Sequence, residues 1–308
     1  TIKRLLLAAV TVLIIAAITF FAMNAIPGGP FSKEKATDPT VQAMLEARFN
    51  LDKPVPEQFL IYMKNLLHGD FGISLKTGRE ISVTIRDSFA VSAKLGGMAA
   101  GLAVVLGLTL GSVAALTRNR WPDRVIIFLT TLFVSVPSFV LATLLLLVFC
   151  LILKWFSVFN PANPNYLLPV ISLMLYPMAY ITRLTKSSML DVLGQDYIRT
   201  ARAKGVRQSL VIFKHALRNA LIPVITYVGP MTAYILTGSM VVETVFTVGG
   251  LGTKFVSSIN NQDYPMIMAT TIFLATLMVL ATLLSDLVYK LVDPKITSPY
   301  NGSTVDFG

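Results

Sequence analysis

Apolar residues in this chain gather into long runs separated by short polar stretches, the pattern of repeated membrane crossing rather than of an amphipathic bundle. No charge lies between Arg4 and Asn24, and LLLAAVTVLIIAAITFFAM is long enough to cross about 30 Å of hydrocarbon. Lys3 and Arg4 in front would also suit a signal peptide, but the run is long for one and Met23 with Ala25 is a poor cleavage site, so a retained span is expected. Leu95 to Thr117 follows between Lys94 and Arg118, with Gly96, Gly97, Gly101, Gly107 and Gly111 available for close helix packing. Val125 to Leu153 should kink at Pro137, Ala220 to Val242 should be interrupted at Gly229 and Pro230, and Tyr264 to Ser285 closes the set. Leu167 to Thr182 is shorter and holds Pro169 and Pro177, yet the loop charges require it as a crossing. Without it, the basic stretch that follows would face the opposite side from Thr117 to Arg124. The expectation is an all-α membrane protein with six transmembrane helices.

The polar stretches divide into two kinds. From Ala25 to Phe89 there are eight basic and eight acidic residues, with Pro39 and Pro56 each opening a helix, the second running through Phe59, Leu60, Met63, Leu66 and Leu67 to a stop at Gly69. This predicts a small folded element outside the membrane. The others are short and sort by charge: Lys3 and Arg4, then Arg118, Arg120 and Arg124, then eight basic residues from Arg183 to Arg218, then Lys290 and Lys295 share one side. By the positive-inside rule that side is the cytoplasm, with both termini there.

Composition agrees, with 54% hydrophobic and 14% charged residues among 308 and a mean hydropathy of +0.69, against about 25% charged in soluble domains. The net charge of +10 is then explained by loops rather than by nucleic acid. Cys150 is the only cysteine, and His68 and His215 lie in different loops, so no disulfide, thiolate cluster or metal site is expected, and no catalytic residue. No GxxxxGK[ST] phosphate loop occurs, and no Asp, Glu, Lys, Arg or His sits mid-run; Glu243 and Asp286 stand at run ends. Neither a fuel site nor an ion relay is present, so a secondary carrier or autonomous channel is disfavoured. Any driving energy must enter from another subunit.

The stretch Asp196 to Pro223 is where a partner could push. Asp196 can cap a helix that runs without a breaker through Lys204 to Gly205, which suits a positive-φ turn. After it Val206, Leu210, Phe213, Leu217 and Leu221 recur at helical spacing as one apolar face. Basic residues here would suit anionic headgroups. Thr200, Ala201, Ala203 and Gly205, alternating with Arg199, Arg202 and Lys204, would also allow another protein to approach closely.

This segment resembles the cytoplasmic EAA loop of binding-protein-dependent ABC importer permeases. Arg199, Thr200 and Ala201 take the first three places, Gly205 the glycine, and Leu221, Ile222 and Pro223 the close; YIRTARAKG resembles the oligopeptide and dipeptide branch, although Arg199 replaces the general Glu. HGDFGIS (68–74) and GSMVVETVF with GGLG (238–252) also resemble that branch's turns, with Gly249 where Pro is usual. The resemblance implies residues 1–24 as helix 1, 25–89 as an extracytoplasmic element, 90–292 as helices 2 to 6 with the EAA-like loop at 196–223, and 293–308 as a cytoplasmic tail. It implies that Tyr197, Arg199, Thr200, Ala201, Arg202, Ala203, Lys204 and Gly205 form a coupling helix between helices 4 and 5. The implied partners are a second permease, two ATPase subunits holding ATP and Mg, and an extracytoplasmic peptide-binding protein, all at a prokaryotic inner membrane. This chain would bind no cofactor itself. Oligopeptide is the implied cargo, with dipeptide, glutathione and nickel permeases sharing the design. Ser135, Ser138, Thr226, Thr237 and Ser239 are the polar groups in the runs that could line a pathway, or bond helix to helix.

Overall fold

A computed structural model describes residues 2–25, 52–160 and 162–292. The helix expected after Pro39 and the 293–308 tail lie outside the described residues. Those described form helices joined by turns: α1 (Ile2–Asn24), α2 (Val55–Leu67), α3 (Ile81–Leu116), α4 (Trp121–Ser135), α5 (Ser138–Leu145, continuing as π-helix to Ile152), α6 (Leu167–Leu193), α7 (Asp196–Ala203), α8 (Arg218–Val245), α9 (Leu251–Asn261) and α10 (Tyr264–Val292). Four helices are by themselves long and apolar enough to cross a membrane, and there are up to six crossings if the two broken runs each count as one.

The helices differ from the expected runs in instructive ways. Helix α3 starts at Ile81, well before Leu95, because Ile81 and Ile85 bury against Leu251, Met266 and Ala269. At Pro137 the chain breaks rather than kinks. Val136 is extended (φ −89°, ψ 128°), which the residue before a proline favours, and α5 begins afresh at Ser138. Gly229 and Pro230 do not interrupt α8, and α6 continues through Arg183 and Lys186 to Leu193. Among the glycines of α3, Gly107 and Gly111 approach α6 closely. A Cβ on Gly107 would stand 2.6 Å from Ile181 Cγ2, and one on Gly111 2.6 Å from the Thr182 carbonyl, whereas Gly97 and Gly101 have nothing within 4 Å.

The chain clusters into two compact units: Thr1–Gly97, Leu141–Ser172 and Leu236–Val279 in the first, Met98–Val140, Leu173–Ile235 and Leu280–Gly308 in the second. In the first, Phe59 of α2 packs on Phe20 and Phe21 of α1, with ring centroids 5.3 and 5.6 Å apart. The turn after α2 has Gly69 and Gly72 at positive φ (78° and 79°), and Asp70 Oδ1 accepts the Gly72 N–H at 2.8 Å. Asp263, just before α10, accepts the Ser74 hydroxyl and, at 3.1 Å, the Leu75 N–H. Lys94 lies over the Tyr166 ring at 4.9 Å. In the second unit, buried Asp123 at the start of α4 accepts from Lys186 of α6 and, at 3.0 Å, from the Asn119 N–H.

Candidate coupling surface and membrane pathway

Helix α7 is short and polar, with one buried anchor. Ile198 is its only buried residue, at 0% exposure, and it enters a cluster with Ala115, Met189, Val211, Ala216 and Ala220. An isolated helix of this length would not persist in water, so the cluster holds it in place. Asp196 is the first helical residue rather than the cap. Gln195 is the N-cap, without a side-chain cap bond, and the Asp196 carboxylate instead serves the positive end of the helix.

The remaining expected contact residues face outward. Tyr197, Arg199, Thr200, Arg202, Ala203, Lys204 and Gly205 are exposed and Ala201 is half-buried. Arg199 lies 3.4 Å from Asp196 Oδ1 in a surface pair that leaves its guanidinium available. The Tyr197 hydroxyl accepts from Asn219 Nδ2 at 3.0 Å, pinning the far end of the elbow. Gly205 has φ +74° with open space where a Cβ would go, so backbone conformation rather than crowding selects glycine there.

After Gly205 the apolar face differs from expectation. Residues Gln208–Leu210 form a brief α-turn and Val211–Leu217 a π-helix, whose wider turn rotates later residues away from a 3.6-residue register. The buried positions are therefore Val211, Ala216 and Ala220, while Leu210 and Phe213 are 50% and 69% exposed. Both add exposed apolar surface to the segment after Gly205. The sequence pattern placed them on one apolar face with Val206, Leu217 and Leu221.

The expected pathway residues separate. Ser135 is exposed at the end of α4, and Ser138, half-buried at the start of α5, hydrogen-bonds Tyr234. Thr226 donates to its own helix at Ile222 O (2.8 Å) and Pro223 O (3.0 Å). The side chain of Thr237 lies outside those described. Ser239 is 4% exposed and bonded to Glu243, so it belongs to a packed polar cluster rather than to an opening.

That cluster is a turn built from distant parts of the chain. Glu243, fully buried, accepts the Ser92 hydroxyl at 2.6 Å and the N–H groups of Gly252 at 2.9 Å and Thr253 at 3.3 Å, and Ser92 Oγ accepts the Leu251 N–H at 2.8 Å. The first-turn donors of α9 are thus capped from α8 and α3, because Gly250 has no side chain to do so. A Cβ on Gly250 would collide with the Glu243 carboxylate.

A polytopic helical chain with an outward-facing basic elbow and no internal fuel site has the features of a transporter's membrane subunit. The chain belongs to the family of binding-protein-dependent transport system inner membrane components, which matches residues 107–298, with the family's N-terminal part matching residues 1–95. It is a multi-pass inner membrane protein of that family. It is 46% identical to the dipeptide transport system permease protein DppB of Bacillus subtilis, covering 96% of both chains. It is 44% and 41% identical to the oligopeptide transport system permease proteins OppB of Haemophilus influenzae and Escherichia coli, each over 96% of this chain and 97% of theirs. Among solved structures, the MetNI methionine ABC transporter in an inward-facing conformation matches with a TM-score of 0.57 at 17% identity, over 68% of this chain and 96% of that one. An amino acid ABC transporter crystallised with histidines matches with a TM-score of 0.53 at 17% identity, over 68% and 94%. These two share the fold.

Proposed function

We propose that this chain is a permease subunit of an ATP-driven peptide importer, crossing the membrane six times and receiving its mechanical signal at α7. The observation that carries the reading is α7 itself, a helix with one buried anchor and an outward surface of Tyr197, Arg199, Thr200, Arg202, Ala203 and Lys204. Two ATPase subunits, one on this chain and one on a second permease, would hold ATP and Mg. An extracytoplasmic binding protein would deliver the cargo and choose its length. Peptide as the cargo class is supported by the dipeptide and oligopeptide names of relatives at 41 to 46% identity.

Six crossings, both termini in the cytoplasm and the 25–89 element outside are supported by the distribution of basic residues among the loops. Loops that should face outward share one compact unit, tied by Ser74 with Asp263 and by Lys94 with Tyr166. Loops that should face inward share the other, tied by Asp123 with Lys186 and by Ala115 with Ile198. Single cysteines in the Cys150→Ser background should report this directly. Those at exposed His68 and Asn261 should react with an impermeant thiol reagent added outside, and those at exposed Arg118 and Gln208 only after permeabilisation. Labelling of position 208 in intact cells would overturn the arrangement.

The function is tested by initial uptake of a labelled pentapeptide into proteoliposomes containing the whole complex. Uptake should require ATP on the elbow side and binding protein on the other. Collapsing proton and sodium gradients should leave it unchanged while ATP is maintained, since no mid-run ionisable group is available to bias two access states. Gradient-driven uptake by this chain without ATPase subunits would restore the carrier reading.

A further inference from the structure

Four tyrosines form a ladder between α6 and α8. Tyr176 stacks on Tyr234 with centroids 4.7 Å apart and planes at 28°, and Tyr180 on Tyr227 at 4.2 Å and 29°. Positions rise along α6 as they fall along α8, so the helices run antiparallel at the ladder. All four lie inside the apolar runs Leu167 to Thr182 and Ala220 to Val242. The seven-residue step from Tyr227 to Tyr234 extends the ladder along about 10 Å of helix axis.

The surface they offer does not suit lipid. From Ser172 to Thr182 every residue of α6 is buried except Tyr176 and Tyr180, the latter 41% exposed. Continuing at helical spacing, the next exposed positions on this stripe are Arg183 and Ser187. Where α1 is exposed its surface is mostly aliphatic, with Leu6 and Ile18 at 63% and 64%. The α6 stripe is instead phenol, phenol, guanidinium, hydroxyl. Among the described residues the Tyr176, Tyr180 and Tyr227 hydroxyls make no hydrogen bond, and a polar group left so in hydrocarbon costs several kcal/mol. Membrane-interface tyrosines occupy a thin band near the headgroups. A ladder that enters the apolar run and then continues into charged residues describes a wet track.

We infer that Tyr176, Tyr180, Tyr227 and Tyr234, with Ser138 bonded to Tyr234, form a wall of the translocation pathway that slides along the cargo peptide. The inference rests on the importer reading above. The chemistry suits a peptide of any sequence: phenol faces stack on amide planes and side chains alike, and each hydroxyl both donates to a carbonyl and accepts from an N–H. Pro177 and Pro230 remove the helix bonds to the carbonyls of Leu173 and Thr226, adding acceptors along the same helices. No charge within the ladder selects cargo. Selection is left to the binding protein.

The test uses the complete complex with this chain as Cys150→Ser and one further change, Tyr176→Cys, Tyr180→Cys or Tyr227→Cys. Each cysteine should react with a charged, water-soluble thiosulfonate, and turnover of a transported peptide should slow that reaction severalfold while a non-transported peptide does not. Reaction only with a membrane-partitioning maleimide would make the ladder a lipid face. Constant cross-linking to the second permease without peptide protection would make it a subunit interface. Either result overturns the inference. In the otherwise unchanged chain, Tyr180→Phe with Tyr227→Phe keeps the stack but removes two hydroxyls, and should lower kcat for uptake about fivefold with KM nearly unchanged, since capture belongs to the binding protein. Unchanged kcat would also count against it. If the Cys150→Ser parent shows no ATP-driven peptide uptake, the importer reading itself falls and the peptide wall with it. Parent uptake with unprotected cysteines sinks the ladder alone.

Discussion

Ile198→Asp is expected to reduce ATP-driven uptake by roughly a hundredfold or more while leaving the chain inserted and paired with the second permease. Ile198 supplies the only buried side chain of α7, and its cluster is otherwise apolar. A carboxylate placed there would meet no partner, at a cost of several kcal/mol, and the short helix would leave its seat. Nucleotide-driven motion would then reach a detached segment. Ile198→Ala should cost about 2 to 4 kcal/mol at the seat and give an intermediate loss, and Ile198→Val about 1 kcal/mol and little loss. Gly205→Val should resemble the alanine variant for a different reason, because its strain comes from φ +74° and not from crowding. The measurements are uptake, retention of the second permease on purification, and stimulation of ATPase activity by loaded binding protein. Normal stimulation and uptake in Ile198→Asp would remove α7 from the coupling route.

Glu243→Ala is expected to loosen the turn between α8 and α9 without touching the elbow. The substitution leaves the N–H groups of Gly252 and Thr253 and the Ser92 hydroxyl without their acceptor in a buried place. At about 1 to 3 kcal/mol for each such group, the local loss should reach roughly 3 kcal/mol or more. Hydrogen exchange of the Leu251 to Thr253 amides should accelerate about a hundredfold for that loss. Glu243→Gln keeps one carbonyl acceptor and should fall between. Ser92→Ala should speed exchange at Leu251, which Ser92 Oγ serves directly. Exchange in Glu243→Ala within a factor of two or so of the parent would show that water or a rearranged side chain replaces the carboxylate at little cost. The same variant should retain ATPase association, which separates the turn between α8 and α9 from the proposed coupling surface.

These two sites show how much of the protein is readable along the chain. The apolar runs, the elbow, the exposed basic residues of α7 and the positive φ of Gly205 all follow from local chemistry. Length of uncharged sequence, charge in a loop and the absence of a side chain each act within a few residues, so a linear reading captures them. Helix α2 is legible for the same reason, opening beside Pro54 and Pro56 and closing before Gly69 at φ +78°.

Packing decided the rest. The π-helix at Val211–Leu217 turned Phe213 outward although its spacing suits a 3.6-residue helix, because Val211, Ala216 and Ala220 are the residues small or shaped enough to enter the Ile198 cluster. The glycines of α3 look alike in sequence, yet Gly107 and Gly111 meet a neighbouring helix closely and Gly97 and Gly101 do not, because Ile181, Thr182 and Thr185 of α6 lie opposite the first two. Glu243 reads as a span-end charge, and only the fold brings Ser92 and the start of α9 to it. The tyrosine ladder is likewise invisible as a motif, since its two sides come from separate spans. The sequence by itself determined which segments are long and apolar enough to cross a membrane and that the chain turns at Gly69 and Gly205, because hydrophobic length and backbone freedom are local. Tertiary structure alone decided which polar groups are capped and which helix faces stay open, because those depend on what another segment places within a few ångströms.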